Sequence, residues 1–128
     1  KITVGTIQDT AGTAVASTFV TGGCAKAYID IPYGQASINN SLNVSTLTDT
    51  GAGDGAINFT SSFGSNTYSI ATACNDNASV TSIMYAHDVT HGTQAASNYH
   101  FETIYWNASN HRTNGDVRSY SVLVGDLA

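Results

Sequence analysis

Apolar positions in this chain recur with a period of two, and no stretch of ten or more residues holds an apolar stripe at helical spacing. In Ala25–Ile31, the side chains Ala25, Ala27, Ile29 and Ile31 alternate with Lys26, Tyr28 and Asp30, which predicts a strand. Pro32-Tyr33-Gly34 ends it, because proline cannot donate to a ladder. Ile38, Leu42 and Val44 then share one face of an extended segment, with Asn39, Asn43 and Ser45 opposite. Leu47 falls out of phase with them, which predicts a bulge near Ser45-Thr46. Thr48-Asp49-Thr50-Gly51-Ala52-Gly53-Asp54-Gly55 is a turn cluster, and Ile57 and Phe59 after it point inward, so the two segments read as a hairpin. Asp49 and Asp54 suit Asx turns, in which the carboxylate bonds its own backbone.

Residues 68–74 predict the next strand, Asn75-Asp76-Asn77 a turn, and residues 79–90 a further extended segment. Residues 99–107 are strongly β, with Phe101, Thr103 and Tyr105 on one side and Ile104 and Trp106 on the other. A polar loop over residues 107–115 leads to a last strand over residues 116–124, with Tyr120, Val122 and Val124 on one face. Seven or eight short strands predict an all-β fold, an antiparallel β-sandwich. Residues 1–24 read as an N-terminal strand or connection and residues 25–128 as the sandwich domain. A lone sandwich leaves one face of each sheet in water. Large apolar side chains on both faces of residues 99–107 therefore predict that copies of the chain cover one another.

Composition supports the β reading and narrows the partners. Thr, Ser, Gly and Asn make up 54 of the 128 residues, which suits pleated surfaces joined by tight turns. Charged residues are 10 %, against about 25 % in an average domain, so little repulsion keeps copies apart. The net charge is −5, with only Lys1, Lys26, Arg112 and Arg118 basic, so no basic stripe exists for nucleic acid. No apolar run has the length of a spanning helix, and no membrane insertion is expected. Lys1 is followed by an alternating Thr-rich segment, not an apolar signal region, and the chain reads as a processed product or part of a longer protein. Cys24 and Cys74 do not make a disulfide scaffold, and their pairing is left open. Asn-x-Ser/Thr triplets at Asn43, Asn58, Asn77 and Asn107 are what chance gives in so Asn- and Ser-rich a chain.

The stretch Ala25-Lys26-Ala27-Tyr28-Ile29-Asp30-Ile31, the run from Ala36 through Gly51, then Gly53-Asp54 and Ile57-Asn58-Phe59-Thr60, resembles a family of fibre and other structural proteins of tailed bacteriophages. Ile7-Gln8-Asp9-Thr10-Ala11-Gly12 is similar to an element that often precedes that block, and Tyr120-Ser121-Val122-Leu123-Val124-Gly125-Asp126 resembles the family's closing segment. The chain departs from the pattern at Tyr28, where the family has Trp, at Pro32-Tyr33-Gly34, and from Ser61 to His100. The resemblance implies a virion component on a tail or head fibre, usually a homotrimer, that meets other virion proteins and a host cell-surface glycan or receptor. It implies neither catalysis nor a cofactor. Two other readings remain: a capsid-decorating protein, and a carbohydrate-binding module of a secreted bacterial protein.

The segment chosen for receptor contact is Trp106, Asn107, Asn110, His111 and Arg112. An indole can stack on a sugar ring while Asn, His and Arg bond its hydroxyls; the competing place for Trp106 is the core. His87 and His91 would share a strand face, and one histidine per chain around a threefold axis could ligate a metal ion, though a polar strand end is the plainer reading. Glu102 with Asp88 or Asp116 could be drawn as a glycosidase pair, but the chain is too short for a long substrate-holding β-helix, and no nucleophile–base pairing is legible. Ser119 and Ser121 lack a nucleophile elbow.

Overall fold

The computed structural model describes residues 6–8, 12–16, 23–75, 85–88, 94–106 and 111–128. Its strands in chain order are β1 (Thr6–Gln8), β2 (Ala14–Ala16), β3 (Ala25–Ile31), β4 (Asn40–Leu42), β5 (Val44–Gly51), β6 (Asp54–Phe59), β7 (Ser69–Asn75), β8 (Tyr85–Asp88), β9 (Asn98–Trp106), β10 (Arg112–Asn114) and β11 (Arg118–Val124). β1 and β2 form a two-stranded ladder of their own. β4, β3, β11 and β7 lie side by side in a first antiparallel sheet. β5, β6 and β9 build the second, with β8 and β10 also paired to β9.

The arrangement around β9 follows from one residue. The Thr103 amide donates to the Gly53 carbonyl at 2.7 Å, and the Thr103 carbonyl accepts from the Gly115 amide at 3.2 Å. Both backbone groups of a residue point to the same edge of an antiparallel strand. β6 and β10 therefore share one edge of β9 end to end, and β8 takes the other.

The all-β, sandwich-like fold expected from the alternation is what forms. Ala27, Ile29 and Ile31 of β3 are buried, as the pattern predicted, and so are Ile57 and Phe59 of β6. They meet Tyr99 and Phe101 of β9 and Leu123 of β11, together with Phe63 and Tyr68 from the connection between β6 and β7. Fully burying an aliphatic or Phe side chain contributes about 1.5–3 kcal/mol, so this cluster dominates the stabilisation. Phe63 and Tyr68 stack at 4.3 Å, with Phe59 edge-on to both. The bulge expected near Ser45-Thr46 is present: the β5–β6 register shifts between Val44 and Thr46. Ser45 fills the irregularity, its hydroxyl donating to the Asn58 carbonyl at 3.1 Å. Asp49 makes the expected Asx turn, accepting from the Gly51 amide at 3.0 Å.

The seven or eight short strands expected agree with two paths of four strands, β4-β3-β11-β7 and β10-β9-β6-β5, with β8 pairing β9 off the second path. β4 lies in the segment that reads as extended, whereas β10 is three residues long and falls in sequence that reads as a polar loop. One expectation needs correction: Leu42 does not share a face with Ile38 and Val44. Those two pack against the core, whereas Leu42 is 47 % exposed on the outer side of the first sheet. The cause is Asn43, at φ 56°, which breaks the run and passes the chain from β4 in one sheet to β5 in the other. Asn tolerates this left-handed conformation, and here its amide is used at both ends: Nδ2 donates to the Ser61 carbonyl at 3.0 Å, and Oδ1 accepts from the Ser61 amide at 2.7 Å.

Apolar side chains are expected on both faces of residues 99–107. The side of β9 away from the core carries half-buried Ile104 beside exposed His100 and buried Glu102, and the Trp106 side chain lies outside the description. The larger apolar exterior belongs to the first sheet. β11 turns Ser119, Ser121 and Leu123 inward, all essentially inaccessible, and Tyr120 and Val122 outward. Of the extended segment expected at residues 79–90, Tyr85–Asp88 is strand; the rest lies outside the described residues.

Cys24 and Cys74 are separate thiols, the first exposed and the second half-buried. The register explains why. Ala25 pairs with Val124 at one end of the first sheet, while Cys74 pairs with Ser119 at the other, and a disulfide needs Cα atoms within about 7 Å.

Candidate functional site

The end of the sandwich that carries the predicted contact segment is organised by a buried polar cluster. β3 leaves the first sheet at Pro32, and the chain turns through Gly34 at φ 85° and Gln35 at φ 46°. A left-handed glutamine is strained. What holds it is its own side chain, which is buried at 1 % exposure and donates from Nε2 to Thr103 Oγ1 at 2.8 Å and to the Val117 carbonyl at 3.0 Å. Thr103 passes the chain of bonds on, its hydroxyl donating to the Gly115 carbonyl at 2.6 Å. The Gly53 amide donates to Asp116 Oδ1 at 2.6 Å, and the Gly34 amide to the Asp116 carbonyl at 3.1 Å.

Four segments distant in sequence are thus tied together: the β3–β4 loop, the β5–β6 turn, the middle of β9 and the β10–β11 connection. Gly53 is required where it stands. Its φ is 73°, and a Cβ there would lie 2.5 Å from the Thr103 carbonyl oxygen and 2.6 Å from the Gly115 nitrogen. Neither backbone atom can give way without breaking the cluster.

β9 and β10 rise from this base as a hairpin. Trp106 and Arg112 are direct partners across it. The structure therefore brings the two ends of the predicted contact segment together at one closing rung. His111 is exposed at the tip. Asn107 and Asn110, and the side chains of Trp106 and Arg112, lie outside the described residues. At the same end, on the β3–β4 loop, stands Tyr33, 59 % exposed. Sequence reading took Pro32-Tyr33-Gly34 only as a strand stop. The available signal was an aromatic in the middle of a Pro–Gly turn, where no strand face exists for it to pack on. An exposed phenol ring can stack on the apolar face of a sugar and bond its hydroxyls, as can the His111 imidazole by hydrogen bonding.

The remaining candidates do not converge on a second site. His87 is on β8 opposite Thr103, and His91 lies outside the described residues. Among the described residues no group of three or more His, Cys, Asp or Glu side chains is placed to hold a metal ion. Glu102 accepts from Asn114 Nδ2 at 2.6 Å and stands across from Asp54 and Asp88 in the register. Asp116 is engaged with the Gly53 amide. Glu102 and Asp116 thus serve different local bonds. Burial pushes the Cys74 thiol up to about 11, so it is a poor nucleophile at neutral pH.

The opposite end of the sandwich has a cleft of about 420 Å³ lined by Phe63, Gly64, Ser65, Thr67, Tyr68, Gly125 and Asp126. Its aromatic rings are committed to the core and stack on each other, so the cleft offers their edges rather than an open face. The Tyr68 hydroxyl bonds the Ala95 and Asn98 carbonyls, and burial raises its pKa to about 12. No family of proteins, no curated protein and no solved structure matches this chain.

Proposed function

We propose that the chain is a structural module of a tailed-bacteriophage fibre: copies of it, a homotrimer, stand on other virion proteins and present one end to a glycan on the host surface. The sequence resemblance supports the virion assignment. The observation that carries the orientation is a pair of positions. Ala25, where the chain joins the sandwich, is the register partner of Val124, where β11 leaves it, at one end of the first sheet. The Tyr33 loop and the β9–β10 hairpin lie at the other end. A module attached through residues near Ala25 would hold those loops farthest from its base, and glycan recognition by aromatic, imidazole and amide groups needs no cofactor.

The test is binding of the purified chain to an array of bacterial surface glycans, repeated with Tyr33→Ala and His111→Ala. Loss of one stacking or bonding group should weaken binding about tenfold, which corresponds to about 1.4 kcal/mol. Unchanged affinity in both variants would remove this end from recognition. Binding by a single copy, joined in the full gene to a catalytic domain, would replace the fibre reading with a carbohydrate-binding module. Copies spread over the head lattice with no glycan bound would replace it with a decoration protein.

A further inference from the structure

We infer that the outer face of the first sheet, centred on β11, is where one copy of this chain packs against another. The inference rests on the reading that copies assemble, and adds which surface they use. β11 carries small hydroxyl side chains, Ser119 and Ser121, toward the core, and Tyr120 and Val122 away from it. An antiparallel sheet with one wet face normally has the reverse polarity.

The register extends this across the whole sheet. Leu42, Tyr28, Val122 and Ala71 are successive partners on β4, β3, β11 and β7, and form one continuous rung on the outer side. Leu42 and Val122 are 47 % and 42 % exposed, two of the four most exposed large apolar residues described. The only polar atom on that rung's side chains is the Tyr28 hydroxyl, which donates to Asn40 Oδ1 at 3.3 Å. The next rung pairs Asp30 with Tyr120 and Ala73.

Charge identifies the occupant as a second copy. The chain carries nine acidic residues and a net charge of −5. Among the described residues, only Asp30 of those nine lies on this face, and Arg118 neutralises it through two bonds, 3.1 Å and 2.8 Å long. Arg118 in turn lies over the Tyr120 ring at 5.1 Å. Lys26, at the Ala25 end of β3, is the one further charge on this face among the described residues, so the face is slightly positive on an otherwise acidic chain. Two copies of the face running antiparallel can meet with their Lys26 residues at opposite ends and with no unpaired carboxylate between them, leaving the acidic exteriors turned to water. The outer face of the second sheet lacks this property, because Asp54 and Glu102 oppose each other there.

The experiment is sedimentation velocity of the full chain at micromolar concentrations, with Val122→Glu and Ala71→Glu on the apolar rung and Thr48→Glu on the opposite sheet. The parent should sediment as an oligomer, both rung variants should fall to the mass of a single chain with unchanged circular dichroism, and Thr48→Glu should match the parent. An oligomeric parent whose rung variants keep its mass would overturn this face while leaving assembly intact. A parent that is a single chain throughout would overturn assembly itself. Rung variants that lose the folded spectrum would show that the chain's own segment covers the face. In that event Val122→Ser, which keeps the fold, must still lower the mass, or the inference fails.

Discussion

The two outer faces of the sandwich are built on opposite principles. On the first sheet, tyrosine, valine, leucine and alanine line up across four strands, and the one acidic group there is neutralised by a neighbour on the adjacent strand. On the second, Thr48, Ala56 and His100 are successive partners, and Asp54 stands directly across from Glu102 in the register. The inner sides differ less: both contribute large apolar groups to one core. The difference teaches that the sheets were not selected for the same environment. One exterior tolerates burial and the other favours water, so the sandwich has a direction even though its layers are alike.

The comparison can be broken most forcefully at two neighbouring residues of β11. Leu123 is fully buried and Val122 points the other way. Leu123→Ala should cost about 2–5 kcal/mol in a urea titration. Val122→Ala should cost about 1 kcal/mol or less under conditions where the chain is a single copy. Equal costs in the single copy would mean that Val122 is already covered from within, and the contrast between the faces would collapse.

A smaller effect separates the two faces by sign. Arg118 holds the Asp30 carboxyl below the ordinary carboxylate value of 3.8, through its hydrogen bonds and its charge, against a smaller upward push from burial. A depressed carboxylate binds its proton less readily in the folded than in the unfolded chain. Its contribution is therefore complete above pH 3.8 and fades as the pH falls through the lower folded value. Asp30→Asn should lower the urea midpoint at neutral pH and remove that part of the acid-side loss. Asp54→Asn on the other face relieves opposition to Glu102 and should raise stability by roughly 0.2–1 kcal/mol. Finding that both substitutions destabilise would refute the claim that the carboxylate on one face is held by a cation while two carboxylates oppose each other on the other. The smallest effect is expected at Thr48, where Thr48→Ala should change stability by no more than about 0.5 kcal/mol at any protein concentration. A larger, concentration-dependent change would bring the second face into the assembly.

The local pattern made several features legible before any coordinates. The inward set of β3, the inward Ile57 and Phe59, the bulge after Val44 and the Asx turn at Asp49 each follow from a few adjacent residues, so each could be read from the chain alone. The candidate site was half legible. Trp106 through Arg112 is legible as a strand end passing into a polar run; that Arg112–Asn114 folds back on β9 as a hairpin was not legible. Tyr33 was missed because a turn gives no periodicity to reason from.

What the sequence by itself determined is the β class, the two alternating sets of side chains on each strand and the Gly-rich turn between β5 and β6. Alternation says that two faces exist; it does not say which one is inside. That was decided by tertiary neighbours: on β11 the small serines face inward, Ser121 beside the Tyr99 phenol, while Tyr120 and Val122 are left outside. The crossing at Asn43 needed Ser61 to receive it, and Gln35 bonds Thr103 across 68 residues. Such partners are brought together only by the packing of the two sheets, and a pattern of period two carries no information about distances that long.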